Sequence, residues 1–412
     1  MRVLFIAPRY HTNQHYWVKS LQEAGHHVAF LVISREGLEE TSRLTPEVLP
    51  LSRTYRLLKR IIPGRNDKKH GWASIATVLR HLRAEAPDAV VIRDPLLPMS
   101  WRAVLAARAL RLRIVLYTQR ERRRSRMGAK IRVLQAVRRL AGNVPMITPV
   151  EGGVDVPGVG AATDGGDAAG VRVAAGADRH EAAAPLVPRG WHHVPFVMEP
   201  DPAGDYDSRE WCPDGVRRVV MVAKYLPRKN HMLLVQALES LVERYPIQLD
   251  IFGGHDTPEY RREYEAVGDY IYARGLHWIR RFEPVSWAEL QRHLHAYDLY
   301  ILPSRDEQVG VSLLEAMGKG LPVIASTTAG ARDYIEHGGN GRIFQSDSLE
   351  DLRVQADVLL RDPAILRSAG RRSLELVLTR YSPRAFLERF MPLVQPQGST
   401  DTLHREAGTR RR

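Results

Sequence analysis

The sequence predicts an α/β protein built from two sheet-based domains, and three observations carry that prediction. Strand-length apolar runs alternate with helix-length amphipathic runs in two separate series. The alternation breaks between them, at a Gly/Ala-rich stretch over 152–184 and a Pro/Asp/Gly-rich stretch over 200–215. The chain's 412 residues exceed what one ordinary core accommodates. Strand–helix alternation implies parallel sheets covered on both faces. Ligands of such sheets bind beyond the carboxyl ends of the strands, and two such domains place the site in the cleft between them.

In the first series, VLFIA at 3–7 is a buried strand, followed by a helix over 14–24 that Gly25 stops. Strands are expected at 27–33, 89–93, 114–118 and 145–148, with helices at 73–85, 100–110 and 129–140. The 152–184 stretch has little large apolar material and reads as a flexible excursion or a weakly packed small subdomain. HHVPFVM at 192–198 looks like the last strand of a domain covering 1–199. Residues 200–215 then read as an interdomain linker.

The second series, over 216–380, has strands at 219–223, 248–252, 279–282, 299–303, 323–326 and 341–344. Its helices are expected at 231–245, 260–271, 287–296, 312–319, 331–336, 349–360 and 364–378. A terminal helix over 382–394 follows. Residues 396–412 lack apolar periodicity and read as a disordered tail.

Bulk properties narrow the function. One cysteine, Cys212, excludes a disulfide framework and a cysteine metal cluster. No run approaches eighteen apolar residues. Pro8, Arg9 and His11 interrupt the apolar N-terminus and no small-residue cleavage site follows, so a buried strand is expected there rather than a signal peptide. A cytoplasmic location, or a peripheral one at the inner face of the membrane, follows as the expectation.

Lys and Arg number 60 against 47 Asp and Glu, a net charge of +13. Basic residues recur over 108–139, including RERRRSR at 120–126, and over 53–69. Such a field attracts nucleic acid, anionic lipid or phosphorylated small molecules. Aromatic residues do not interleave with the basic run, so nucleic-acid binding is not expected. Two readings remain: a solvated basic face, or one that meets an anionic membrane or a phosphate-bearing acceptor. No HExxH, nucleophile elbow or convincing metal cluster is present, and no protein-bound metal is expected.

Four segments carry candidate chemistry. In 219–238, a strand, a basic loop and a helix follow in turn, with Lys224, Arg228 and Lys229 before the helix N-terminus, where anions are favoured. At 251–260 a strand ends on Gly253 and Gly254, which permit close backbone approach or positive φ; His255 and Asp256 read first as turn residues. In LPSRDEQVGVSLLEAMGKGLPVIAS, 302–326, Glu307 lies at the carboxyl end of a strand and Glu315 on the next helix. A carboxylate accepts paired hydroxyls, and the main chain of Gly310, Val311 and Ser312 supplies donors for phosphate. TTAGAR at 327–332 reaches the same cleft, with Asp333 as a cap or ligand contact. Across the cleft, loops at 9–13 and 119–124 offer Tyr10, His11, Gln119 and Arg120 as acceptor-side groups.

The 303–323 segment PSRDEQVGVSLLEAMGKGLPV resembles the signature of family four of the retaining glycosyltransferases, PSxxEGFGxxxxEAxAxGxPV, with spacing unchanged. Pro303, Ser304, Glu307, Gly310, Glu315, Ala316, Gly320, Pro322 and Val323 match. The resemblance implies the GT-B architecture, two Rossmann-like domains facing a central cleft, with a helix over 381–395 crossing back to the first domain. It implies that Glu315 binds the nucleotide ribose. Glu307 would hold the transferred sugar, and Lys229 and Lys224 the diphosphate. Gly253 and Gly254 match the family's glycine-bearing strand end, and the backbone of Val309, Gly310 and Val311 would support phosphate or sugar. The donor would be a UDP- or GDP-sugar, with no tightly bound cofactor, and the acceptor a hydroxyl-bearing molecule. Four departures stand out: Lys224 replaces an arginine, Val309 an aromatic, Gln119 a histidine, and the 8–13 loop has no glycine. Two alternatives are a nucleotide-sugar epimerase or phosphorylase of the same design, and a glycosyltransferase-like binding subunit without catalysis.

Overall fold

The computed structural model describes residues 1–35, 39–62, 70–121, 129–152, 187–201 and 206–395. Outside them lie the expected excursion beyond residue 152, the RERRRSR run past Glu121 (Arg124 included), the 63–69 end of the second basic cluster, residues 202–205 and the expected tail.

The first sheet contains β1 (Arg2–Ile6), β2 (His27–Val32), β3 (Glu47–Val48), β4 (Ala89–Arg93), β5 (Arg113–Tyr117), β6 (Met146–Thr148) and β7 (Trp191–His193). Its order is β3-β2-β1-β4-β5-β6-β7, parallel throughout. Helices α1 (His15–Glu23), α2 (Arg53–Ile61), α3 (Ile75–Glu85), α4 (Pro98–Ala109) and α5 (Ala129–Leu140) accompany it. The apolar run of β1 is buried because strands pair on both sides of it and side chains pack on both faces.

The second sheet contains β8 (Arg217–Val222), β9 (Ile247–Phe252), β10 (Ile279–Phe282), β11 (Leu299–Leu302), β12 (Val323–Ser326) and β13 (Gly341–Phe344), in the parallel order β10-β9-β8-β11-β12-β13. Helices α6 (His231–Glu239), α7 (Pro258–Ala273), α8 (Trp287–His293), α9 (Val311–Gly318), α10 (Leu349–Leu360) and α11 (Pro363–Thr379) accompany it. This is the GT-B architecture.

The last helix, α12 (Pro383–Val394), returns to the first domain as expected. Ser382 caps it by accepting from the Ala385 N–H. Phe386 stacks on Trp17 at 5.4 Å and Phe390 on Phe5 at 6.3 Å. Arg113 Nε donates to the Leu393 carbonyl at 2.8 Å. One apolar cluster therefore runs from β1 and α1 through α12 into the second domain's Tyr334 and Leu313.

Three expectations change. The strand expected over 192–198 leaves the sheet after His193, because Pro195 has no N–H for the ladder; its carbonyl accepts from Trp17 Nε1 instead, at 3.0 Å. The expected linker is docked along 206–215: the Tyr206 hydroxyl donates to the Arg367 carbonyl at 2.8 Å, and Asp298 accepts from the Cys212 N–H at 3.1 Å. The short helix expected over 331–336 is a 3-10 turn, Gly330–Tyr334. Neither β3 nor α2 is evident in the sequence, since α2 buries only Tyr55, against Trp72. Its aliphatic side chains Leu57 and Ile61 are exposed, so its apolar spacing does not mark a core-facing stripe.

Candidate functional site

In the second sheet the chain winds one way from β8 to β9 and the other way from β11 to β12, so the loops after β8 and β11 flank the topological switch point. The loop after β8 ends in a 3-10 turn, Pro227–Lys229, and Asn230 at φ +61° opens α6. Hydrogen bonds stitch the two loops together. The Arg305 N–H donates to the Arg228 carbonyl at 2.8 Å, and Arg228 Nη1 donates to the Asp306 carbonyl at 2.6 Å.

Glu307 stands at the centre of this junction. Its Oε2 accepts from Lys229 Nζ and, at 3.2 Å, from Arg228 Nη1. Both members of the Lys229–Glu307 pair are largely buried, at 12% and 14% side-chain exposure. Burial lowers the Lys229 pKa, and the Glu307 carboxylate opposes that shift. The Glu307 backbone is held too, its carbonyl accepting from the Gly330 N–H at 2.7 Å. Glycine is needed on both sides of this contact. A Cβ on Gly330 would come to 2.0 Å from the Gln308 carbonyl oxygen. Gly310, at φ +66°, would bring a Cβ to 2.7 Å from Leu302 and 2.8 Å from Ala331.

Glu315 lies on α9 at 8% exposure. Its Oε1 accepts from the Trp287 indole Nε1 at 2.9 Å. Burial raises the Glu315 pKa, while the Trp287 hydrogen bond and the Lys319 charge pull it back. The two glutamates share a neighbourhood: Tyr300 feels both carboxylates, and its hydroxyl donates to Ser312 Oγ at 2.6 Å. Val309 is buried; Val311 and Ser312 are half-buried at the start of α9.

The remaining donor-side candidates divide. Lys224 is exposed and makes no ion pair with a described residue. Gly253 owes its identity to packing, since a Cβ there would reach 2.0 Å from the Ala223 carbonyl oxygen. The neighbouring Gly254 carbonyl accepts from the Tyr225 N–H at 3.0 Å. His255 stacks on Tyr264 with ring centroids 4.1 Å apart, and Asp256 is exposed.

Across the junction, Tyr10 is turned into the first domain's core, edge-on to Phe30 at 5.1 Å, and its hydroxyl is buried with no hydrogen bond. His11 accepts from Arg9 Nε at 2.9 Å and lies 3.6 Å from Glu39. Gln119 donates to the Tyr117 hydroxyl at 3.1 Å, and the Arg120 carbonyl accepts from Thr148. Asp333 is neither a cap nor solvent-facing. Its Oδ2 accepts from the backbone N–H groups of Glu151 and Gly152 in the first domain, at 2.7 and 3.0 Å, and burial pushes its pKa up to about 6. Arg332 lies 3.7 Å from Glu121 across the same boundary.

Sequence reasoning missed Trp287 and His15. Their rings lie 5.2 Å apart, one from each domain, and Tyr16 adds a second aromatic contact to Trp287 at 6.2 Å. Nothing in the sequence marks either residue, because an aromatic in an amphipathic helix reads as core. Among the described residues, no group of three or more His, Cys, Asp or Glu is placed to hold a metal ion, and no helix is long and apolar enough to cross a membrane.

Comparison with known proteins agrees with this geometry. Residues 209–374 match the family described as Glycosyl transferases group 1, and residues 11–144 match a Glycosyl transferase 4-like domain. A GDP-mannose-dependent alpha-(1-6)-phosphatidylinositol monomannoside mannosyltransferase of Mycobacterium tuberculosis is 30% identical over 189 residues, covering 42% of this chain and 47% of the relative. The N-acetyl-alpha-D-glucosaminyl L-malate synthase of Bacillus anthracis is 26% identical over 172 residues, covering 42% and 43%. The match thus spans about half the length of these curated relatives. Among solved structures, a glycosyltransferase of Rickettsia africae superposes with a TM-score of 0.65 at 12% identity, covering 95% of this chain and 97% of that one. Anabaena HepE in complex with UDP and glucose superposes with a TM-score of 0.64 at 13% identity, covering 95% and 98%. The chain thus has the GT-B fold, and each of its two halves is similar to a glycosyltransferase domain family.

Proposed function

We propose that this protein is a family-four retaining glycosyltransferase that moves a hexosyl group from a UDP- or GDP-sugar to an acceptor hydroxyl. The observation that carries the proposal is the buried Lys229–Glu307 pair at the switch point, with Glu315 on the following helix. In this reading Glu315 accepts the ribose hydroxyls. Lys229, helped by Lys224 and the N–H groups opening α9, takes the diphosphate as negative charge develops on it. Lys229 leaves Glu307 for the phosphate, which frees the carboxylate to hold the sugar hydroxyls and stabilise charge at the anomeric carbon. A phosphate oxygen of the leaving group deprotonates the acceptor on the same face of the sugar, so configuration is retained. Residues of the 9–13 and 119–120 loops receive the acceptor. The relatives' names direct the first donors to test: GDP-mannose and UDP-N-acetylglucosamine.

The test is transfer from labelled donors by the purified chain, followed by Glu307→Gln. The substitution keeps the shape of the side chain and removes its charge, and transfer is expected to fall at least a hundredfold, on the scale of losing one electrostatic stabiliser. Near-normal transfer by the variant would sink the role given to Glu307. Release of free epimerised nucleotide sugar, or a requirement for inorganic phosphate, would overturn the transferase reading.

A further inference from the structure

Helix α2 presents an unusual outer face. Only Tyr55 is buried, while Arg53, Arg56, Leu57, Lys59, Arg60 and Ile61 are exposed. Leu57 is 59% exposed and Ile61 70%, one helical turn apart. Arg53, Arg56 and Arg60 fall at spacings of three and four beside them, and none makes an ion pair with a described residue. The helix carries no acidic residue. Two neighbouring aliphatic side chains flanked by arginines cost solvation where they stand, and nothing in the chain's described part covers them.

We infer that the outward face of α2 docks on a lipid bilayer bearing anionic headgroups. The charge is complementary to such a surface. Leu57 and Ile61 reach the level of the acyl chains while the arginine heads stay among the phosphates, their stems packed along the apolar boundary. A nucleic-acid backbone would use the arginines but leave both aliphatic side chains in water. The position is also suitable. The chain leaves edge strand β3 at its carboxyl end and enters α2 at once, so α2 begins at the end of the sheet where the 9–13 and 119–120 loops lie. A headgroup held there stands beside the cleft. The docking surface is independent of the proposed transfer; the further step, that the acceptor is lipid-linked, rests on it.

The test is flotation of the full chain with vesicles of phosphatidylcholine alone or mixed with phosphatidylglycerol, at low and high salt. Binding is expected to the mixed vesicles and to weaken with salt. Leu57→Gln with Ile61→Gln should lower the partition coefficient about tenfold, and Arg56→Gln with Arg60→Gln about tenfold at low salt. Both variants should keep the wild-type nucleotide-induced thermal shift. Absence of wild-type binding, equal binding to neutral vesicles, or wild-type partitioning by either variant overturns the inference. So does salt-sensitive binding to duplex nucleic acid without vesicle binding. Loss of nucleotide binding by the wild type would instead count against the transferase reading.

Discussion

Trp287→Phe should weaken nucleotide binding and make it more sensitive to acid. The indole Nε1 donates to Glu315 Oε1 at 2.9 Å, and burial already raises the pKa of that carboxyl. A hydrogen bond to a charged group contributes about 1.5–3 kcal/mol, and phenylalanine removes it while keeping a ring against His15 and Tyr16. Without the indole donor, the carboxylate loses the interaction that opposes burial and its pKa rises further. Ribose hydroxyls need the ionised form as acceptor. The Kd for UDP or GDP at neutral pH should therefore rise about tenfold or more, each factor of ten corresponding to about 1.4 kcal/mol. The midpoint at which acid abolishes binding should also move to higher pH. Equilibrium titration across pH, with a melting curve for each sample, measures both. A variant with the wild-type Kd and acid profile would refute the argument that Trp287 holds Glu315 ionised.

Two further outcomes follow from burial. The pKa of Asp333 is raised from 3.8 to about 6, so the folded state holds its proton through a window where the unfolded chain releases it. Stability thus falls as pH rises from about 4 to 6, by at most about 3 kcal/mol. Asp333→Asn should melt higher than wild type at pH 8 and lose that advantage near pH 4; parallel melting curves across the range would contradict it. Cys212, 6% exposed and pushed up to about 12 by burial, should not react with a thiol reagent in the native protein and should titrate as one equivalent after denaturation.

Much of the architecture was legible because β1, β8 and β11 are apolar runs bounded by loops, and burial on both faces leaves that trace in composition. The Glu307–Glu315 segment was legible for a different reason. Its glycines answer to contacts of about 2–3 Å, so Gly310 keeps a fixed place between the carboxylates. Other features left no trace. The strand expected beyond His193 looked apolar because Phe196, Val197 and Met198 are buried, but they lie in the cluster that also holds Trp17 and Phe386 rather than pairing in the sheet. Asp333 read as a cap or ligand contact because its partners, the N–H groups of Glu151 and Gly152, are some 180 residues away in sequence. The Trp287–Glu315 bond joins two helices 28 residues apart, and the His15 contact depends on how the two domains meet; no local pattern encodes either.

The return of α12 also bears on how the chain is made. Trp17 and Phe5, near the beginning, find their stacking partners in Phe386 and Phe390, near the other end of the described chain. During synthesis the first domain must wait, with an open apolar slot beside α1, until the whole second domain has been translated. Its completion is thereby tied to that of its neighbour, and the two halves are expected to mature together rather than one after the other as independent nascent units.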